Sequence, residues 1–239
     1  MSAFLHVALV EEIWMVPPPG IGLDGKILRL DKALYGRKQA PRAWFERLSE
    51  ALAEIGLISL PFDPCVFISV DHKIIVVVYV DDITTAGSRS DINRLMDHLR
   101  SQFKVTEKGS HKYILAIEIK YTLEYMELSQ HPYITNIVSR FAMDSCRPVS
   151  TPIDPKTSLV KASDSDPVFE QNLYQRMIGS LMYLVTCTRP DLAFSVSYLS
   201  HFSSHSLERH HTAVEKVFRY LAGTRSMSLK YKRSPTSVP

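Results

Sequence analysis

The sequence is poor in cysteine, and it has no long hydrophobic run. Its three cysteines, Cys65, Cys146 and Cys187, lie far apart and form no CxxC pair. This excludes a disulfide framework and a zinc ribbon, and it favours a reducing, intracellular compartment. The longest apolar stretch, residues 74–80, is too short to cross a bilayer, and the N-terminus lacks the pattern of a signal peptide. We therefore expect a cytoplasmic protein without a membrane segment.

The chain also lacks a strong charge of either sign. Its 28 lysines and arginines stand against 25 aspartates and glutamates, which gives a net charge of +3. This balance neither requires nor excludes nucleic-acid binding, because a polymerase combines a basic channel with an acidic centre. The 239 residues suffice for one large domain or two small ones.

Helical and strand patterns alternate in the first half of the chain. Apolar residues at helical spacing predict helices over 41–55 and 90–104. Residues 65–68 and 74–80 are β-branched and continuous, which predicts strands buried on both faces. A turn between these strands and a second turn at Asp81-Asp82 complete the pattern.

The second half of the chain is mainly helical. A hairpin over 113–128 and a helix over 132–143 come first, and residues 144–168 are a linker by their proline, serine and aspartate content. Three further helical patterns then fill the chain, over residues 170–187, 190–202 and 207–222. The fold class predicted from these patterns is α+β.

The adjacent carboxylates of Asp81 and Asp82 are the strongest candidate for chemistry. Aspartate is common in hairpin turns, which is the simplest interpretation of such a pair. Here, however, the pair follows a strand that is expected to be fully buried, where two anions would repel each other and lose hydration. A divalent cation removes both problems, and oxygen ligands suit Mg²⁺. Two such ions are the arrangement that phosphoryl transfer to a hydroxyl uses.

Tyr79-Val80-Asp81-Asp82 is similar to the signature of reverse transcriptases. Other blocks occur in the order found in copia-type LTR retrotransposon polyproteins, and the chain resembles that family almost throughout. These blocks include Ala3-Phe4-Leu5-His6, Lys38-Gln39-Ala40-Pro41-Arg42-Ala43-Trp44, Asp63-Pro64-Cys65, Pro148-Val149-Ser150-Thr151-Pro152 and Cys187-Thr188-Arg189-Pro190-Asp191.

The resemblance implies a reverse-transcriptase-like palm, an antiparallel sheet backed by helices, followed by a helical thumb/connection region. It implies three parts along the chain. Residues 1–130 would be a partial palm with a primer-grip hairpin, residues 131–168 a thumb-like helix and linker, and residues 169–239 a helical thumb/connection region. The activity implied is templated addition of deoxynucleotides to a primer by RNA-directed DNA polymerisation, through two-metal phosphoryl transfer.

The resemblance also implies roles for single residues around the carboxylates. Asp81 and Asp82 would be catalytic and would bind the metal, in a site that holds two Mg²⁺ ions when intact. Tyr79 and Val80 would support the primer terminus. Phe4 would pack under the incoming sugar and select deoxyribose over ribose.

Four polar residues complete the set that the resemblance implies. Gln39 falls in the block that lines the nucleotide pocket, and Lys38 and Arg42 could meet phosphates or template. Lys112 lies where the family carries a lysine near the triphosphate. The expected partners are an RNA or DNA template–primer duplex and deoxynucleoside triphosphates, and in an intact element the polymerase would reside in a cytoplasmic virus-like particle.

The match has gaps that leave three interpretations open. The first block of the family begins with an aspartate, which we expect before Met1, and the fingers and ribonuclease H segments are expected outside this sequence. The chain is then a polymerase fragment, a catalytically dead nucleic-acid-binding remnant, or a polypeptide with no stable function. Basic residues near the C-terminus fit a solvated face and contact with a duplex equally well: Arg209, Lys216, Arg219, Arg225, Lys230, Lys232 and Arg233.

Overall fold

The computed structural model describes residues 8–23, 25–32, 40–107, 109–110, 112–154, 159 and 167–232. These residues form antiparallel sheets and six α-helices, which confirms the expected α+β class. The chain divides into two compact units, with the boundary between residues 107 and 108. Within the described ranges, no helix is long and apolar enough to cross a membrane.

The first unit contains two antiparallel sheets and two helices. Strands β1 (Ala8–Met15) and β2 (Leu28–Lys32) form a two-stranded sheet. The larger sheet has the order β3-β4-β5-β6. Its strands are β3 (Leu57–Leu60), β4 (Asp63–Ser69), β5 (Ile74–Tyr79) and β6 (Asp82–Gly87), and the helices are α1 (Ala40–Glu54) and α2 (Arg89–Gln102).

Strand β5 is buried on one face only. Ile74, Val76 and Val78 are buried in a core shared with α1 and α2, whereas Ile75 and Val77 are 40% and 41% exposed. Burial in β4 likewise favours one face. The expectation that both strands are buried on both faces is therefore wrong. Continuous β-branched sequence cannot distinguish the two cases, since both faces of the strand carry apolar side chains.

The two helices of this unit begin and end at identifiable residues. Gly56 follows α1 with φ of +79°, a left-handed conformation that glycine adopts without steric cost and that ends the helix where the sequence predicts. Helix α2 is capped by Ser88, whose hydroxyl accepts a hydrogen bond from the Asp91 amide at 3.2 Å. The helix thus begins at Arg89, one residue before the predicted start.

The second unit contains a four-stranded antiparallel sheet in the order β10-β9-β8-β7. Its strands are β7 (Tyr113–Ile114), β8 (Ile117–Tyr121), β9 (Tyr125–Ser129) and β10 (Leu229–Lys232). The expected hairpin over 113–128 is present, but a turn at Leu115 and Ala116 divides its first strand. β10 was not expected, because its partner β9 lies about a hundred residues earlier in the sequence.

The helices of the second unit agree with the helical patterns of the sequence. They are α3 (His131–Arg140), α4 (Gln171–Cys187), a short 3₁₀ turn (Pro190–Leu192), α5 (Ala193–Ser200) and α6 (Glu208–Gly223). A common core joins them, with Ile134, Leu181, Val196 and Phe218 fully buried. Part of the expected linker lies outside the described residues, and the three-part domain division stays a prediction.

A buried ion pair ties the turn after α4 to the end of α6. The side chain of Arg189 is 1% exposed and forms a bidentate pair with Asp191, with nitrogen–oxygen distances of 2.9 and 2.8 Å. Arg189 also donates to the carbonyl and the hydroxyl of Thr224, and the Tyr220 hydroxyl donates to Asp191. Burial alone would raise the pKa of Asp191, but the hydrogen bonds and charge of Arg189 hold that pKa below its ordinary value.

We expect Asp191→Asn to destabilise the protein by about 2 kcal/mol at neutral pH, because it leaves the guanidinium buried without its counter-charge. A lowered native pKa means that the carboxylate stabilises the fold above its ordinary pKa of about 3.9, and that this contribution is lost as the pH falls through the native pKa. The difference between variant and wild type, measured by urea unfolding, should therefore shrink below about pH 4. The exposed Asp144→Asn variant is the control. A difference that is independent of pH would contradict the prediction.

Candidate active site

The acidic pair lies at a two-residue turn between β5 and β6. Tyr79 pairs with Asp82 across the hairpin, so Val80 and Asp81 form the loop. The turn therefore lies one residue earlier than the sequence predicted, and Asp82 is the first residue of β6. Val80 has φ of +54° and Asp81 does not have a positive φ. A single left-handed residue at the first loop position is the pattern of a type II′ turn, which matches the twist of paired strands.

The backbone of Val80 is strained, and a hydrogen bond holds it in place. A β-branched residue in the left-handed region costs about 1–2 kcal/mol. The indole Nε1 of Trp44, on α1, donates to the carbonyl oxygen of Val80 at 2.8 Å. The Trp44 ring is 5% exposed and packs edge-to-face on Phe103, the residue that follows α2, with 5.2 Å between ring centroids. Both helices of the unit thus support the turn.

Sequence reasoning did not assign Trp44 this role. Its spacing in the apolar face of α1 made it a core residue, which it also is. The signal that could have identified it is chemical, since a buried indole N–H needs an acceptor. Spacing along one helix could not show that the acceptor lies 36 residues further along the chain.

Both carboxylates are exposed, which corrects one step of the sequence argument. We expected Asp81 and Asp82 at the end of a fully buried strand, where lost hydration would demand a cation. Because β5 is buried on one face and the turn projects beyond it, Asp81, Asp82 and the neighbouring Tyr79 and Val80 are all exposed. A metal requirement does not follow from burial here.

The donor set still fits Mg²⁺ in part. Two adjacent carboxylates offer oxygen ligands, and Mg²⁺ usually keeps several waters and takes only one or two protein carboxylates. Among the residues that the structure describes, no group of three His, Cys, Asp or Glu side chains could hold a metal ion. Asp81 and Asp82 therefore offer oxygen ligands of the kind that Mg²⁺ takes.

Four of the predicted site residues lie together in the structure. Tyr79, Val80, Asp81 and Asp82 form the turn. Arg42 is exposed on α1, where it forms an ion pair with Glu46 at 2.8 Å. The hydrogen bond and charge of Glu46 raise the pKa of Arg42, so the guanidinium stays charged but already has a partner.

The remaining predicted residues are not part of this turn as described. Lys112 is exposed and belongs to the second unit, just before β7. Phe4, Lys38 and Gln39 lie outside the described residues, so their predicted roles are not tested.

Comparison with known proteins identifies the family. A family model described as reverse transcriptase (RNA-dependent DNA polymerase) matches residues 1–155. The chain belongs to the reverse transcriptase family. The matched range includes the whole β5–β6 hairpin with Asp81 and Asp82, whose role as the polymerase signature stays a prediction.

Similar proteins are polyproteins of retrotransposons. The chain is 36% identical over 241 residues to the retrovirus-related Pol polyprotein from transposon RE1 of Arabidopsis thaliana, which covers 98% of this chain and 16% of that protein. It is 36% identical over 237 residues to the corresponding polyprotein from transposon TNT 1-94 of Nicotiana tabacum, covering 93% and 18%. The resemblance to copia-type retrotransposons is therefore confirmed, and the chain spans under a fifth of these relatives' length. No solved structure matches it.

We expect Trp44→Phe to lower the free energy of unfolding by about 1–2 kcal/mol, since it removes the indole donor and leaves a partly buried carbonyl without its hydrogen bond. Hydrogen exchange at the amides of Val80, Asp81 and Asp82 should also become faster than the change in global stability explains. The control is Trp14→Phe, because Trp14 is 56% exposed. Unchanged exchange at these amides would show that the indole does not hold the turn.

Proposed function

We propose that this chain is the catalytic core fragment of an RNA-directed DNA polymerase, in which Asp81 and Asp82 are the catalytic carboxylates. The observation that carries the proposal is the β5–β6 turn. It presents two adjacent exposed carboxylates on a hairpin backed by helices, within a family match to reverse transcriptases. The substrates would be a template–primer duplex and deoxynucleoside triphosphates.

The finer architecture belongs to the same proposal. The β3–β6 sheet with α1 and α2 would be the palm, and α3 to α6 would be the thumb/connection region. The hairpin of β8 and β9 would be the primer grip. The antiparallel sheet with helices on one face supports the first assignment, and the helical core of the second unit supports the second.

The residues at and beside the turn would have different roles. Asp81 and Asp82 would hold Mg²⁺, which when bound activates the primer 3′-hydroxyl and stabilises charge on the leaving oxygen. Tyr79 and Val80, which are 57% and 44% exposed, are available to support the primer terminus beside the carboxylates. Trp44 would keep the strained turn in one conformation, and such positioning lowers the barrier of phosphoryl transfer.

The roles that the resemblance implies elsewhere remain part of the proposal. Phe4 would select deoxyribose, Gln39 would line the nucleotide pocket, and Lys38 would meet phosphates or template. Arg42 would contact phosphate through its terminal nitrogens, because its ion pair with Glu46 uses Nε. Lys112 would approach the triphosphate.

Primer extension on an RNA template with Mg²⁺ tests the proposal. We expect the wild-type chain to incorporate deoxynucleotides, and Asp81→Asn to lose at least about a hundredfold in rate, since a carboxylate that positions the metal carries much of the barrier reduction. The matched control is Asp97→Asn, which removes an exposed carboxylate of the same unit at 78% side-chain exposure. It should extend the primer like the wild type.

The outcomes separate the two candidate functions. Equal incorporation by the wild type and Asp81→Asn, or incorporation by neither, would contradict the claim that this chain polymerises. The second candidate is a nucleic-acid-binding remnant without catalysis. One observation favours it, namely that the described residues contain no third carboxylate grouped with the pair. Duplex binding without primer extension would support this candidate.

A further inference from the structure

A basic groove lies in the second unit, between the segment after α3 and the face of α6. It has a volume of about 440 Å³. Three cationic residues line it, Arg147, Lys216 and Arg219, together with Ser150 and Thr151. No acidic side chain belongs to the lining in the part of the chain that the structure describes.

Two contacts build this groove by holding the 147–151 segment against α6. The first is close packing of Pro148 on Gly223, where a Cβ added to the glycine would lie 3.0 Å from the Cβ of Pro148. A larger residue at position 223 would therefore push the segment away. The second contact is a hydrogen bond from Arg219 Nε to the carbonyl oxygen of Arg147 at 2.8 Å. The groove is thus a defined feature of the fold.

The cations of the groove are not neutralised by nearby carboxylates. Lys216 and Arg219 are three residues apart on α6, so they share a face of the helix and repel each other. Glu215, the acidic neighbour of Lys216, has its carboxylate 3.9 Å from the imidazole of His211. Arg219 uses Nε for the Arg147 carbonyl, and within the described residues its terminal nitrogens make no further hydrogen bond.

The simplest alternative is a solvated basic face. Surface lysines and arginines often have no partner, and cations toward the C-terminal half of a helix are favoured by its dipole. That explanation covers isolated charges. It does not account for three cationic residues that line one groove without a carboxylate. Like charges held close together repel one another, and this repulsion destabilises the groove unless an anion binds there.

We propose that this groove binds phosphate groups of a nucleic-acid backbone. Guanidinium groups donate parallel hydrogen bonds to phosphate oxygens, an ammonium adds a point charge, and hydroxyls add further donors. Contacts of this kind position a nucleic acid without reading its sequence. Phosphate recognition follows from the groove itself, and only the choice of nucleic acid as its source rests on the proposed function.

The test measures binding of a labelled RNA–DNA oligonucleotide duplex to the full chain in EDTA. Binding is monitored by fluorescence anisotropy at several salt concentrations. We expect the triple variant Arg147→Gln, Lys216→Gln, Arg219→Gln to bind about tenfold or more weakly than the wild type. The slope of log affinity against log salt should fall by about one for each phosphate contact removed. Because EDTA removes the Mg²⁺ that polymerisation needs, this test measures binding alone, and its outcome does not depend on the outcome of the primer-extension assay.

A second triple variant with the same loss of charge is the control. It replaces three exposed cations outside the groove by glutamine: Arg89, Lys104 and Arg176. If general charge attraction is the cause, both triple variants will weaken binding equally, and the proposal is overturned. If the groove is the site, the control will retain most of the affinity and of the salt slope.

A double variant shows whether weaker binding comes from the lost charges or from unfolding of the triple variant. Arg147→Gln with Lys216→Gln leaves the hydrogen bond from Arg219 to the backbone of residue 147 in place, so its thermal unfolding should match the wild type while its affinity falls. Inorganic pyrophosphate serves as the competing probe. Displacement of the duplex only at high pyrophosphate concentration supports a backbone site. Pyrophosphate binding without duplex binding would show a site for free phosphates and would overturn the assignment to nucleic acid.

Discussion

The packing of one face of β5 against α1 and α2 is the constraint on which the candidate site depends. With Ile74, Val76 and Val78 buried, the register of the strand is set, because a shift by one residue would turn these side chains into solvent. The same register pairs Tyr79 with Asp82 and leaves only two residues for the loop. The loop of Val80 and Asp81 then places Asp81 at the tip and Asp82 beside it at the start of β6, where both carboxylates are exposed.

The backbone of the turn is strained at Val80, and a hydrogen bond from Trp44 holds it in that conformation. Val80 occupies a backbone region that suits glycine, yet its carbonyl receives the buried indole N–H of Trp44. Trp44 in turn packs on Phe103, so the conformation of the turn depends on helices that precede and follow the sheet. Strained backbone that surrounding structure holds in place is common at functional sites. The surrounding structure thus keeps the turn in a conformation that its own residues do not favour.

The two units carry opposite chemistry. The first has its adjacent carboxylates at an exposed turn, and the second has an uncompensated basic groove between α6 and the 147–151 segment. Within the second unit, the only described arginine that is almost fully buried, Arg189, is matched by a bidentate carboxylate and serves stability. A polymerase needs acidic groups for metal and basic groups for phosphate, and a net charge near zero conceals both.

The sequence by itself determined the family, the α+β class, most helices and the identity of the acidic pair. Helix α1 and its glycine end, for example, follow from apolar spacing and a residue that tolerates positive φ. Only the tertiary structure decided that β5 is buried on one face, that Trp44 holds Val80, that β10 pairs with β9, and that Arg147 meets Lys216 and Arg219. The physical reason is the range of the interactions. Spacing reports neighbours within one element, whereas burial, strand pairing and convergence of charge depend on residues far apart in the chain.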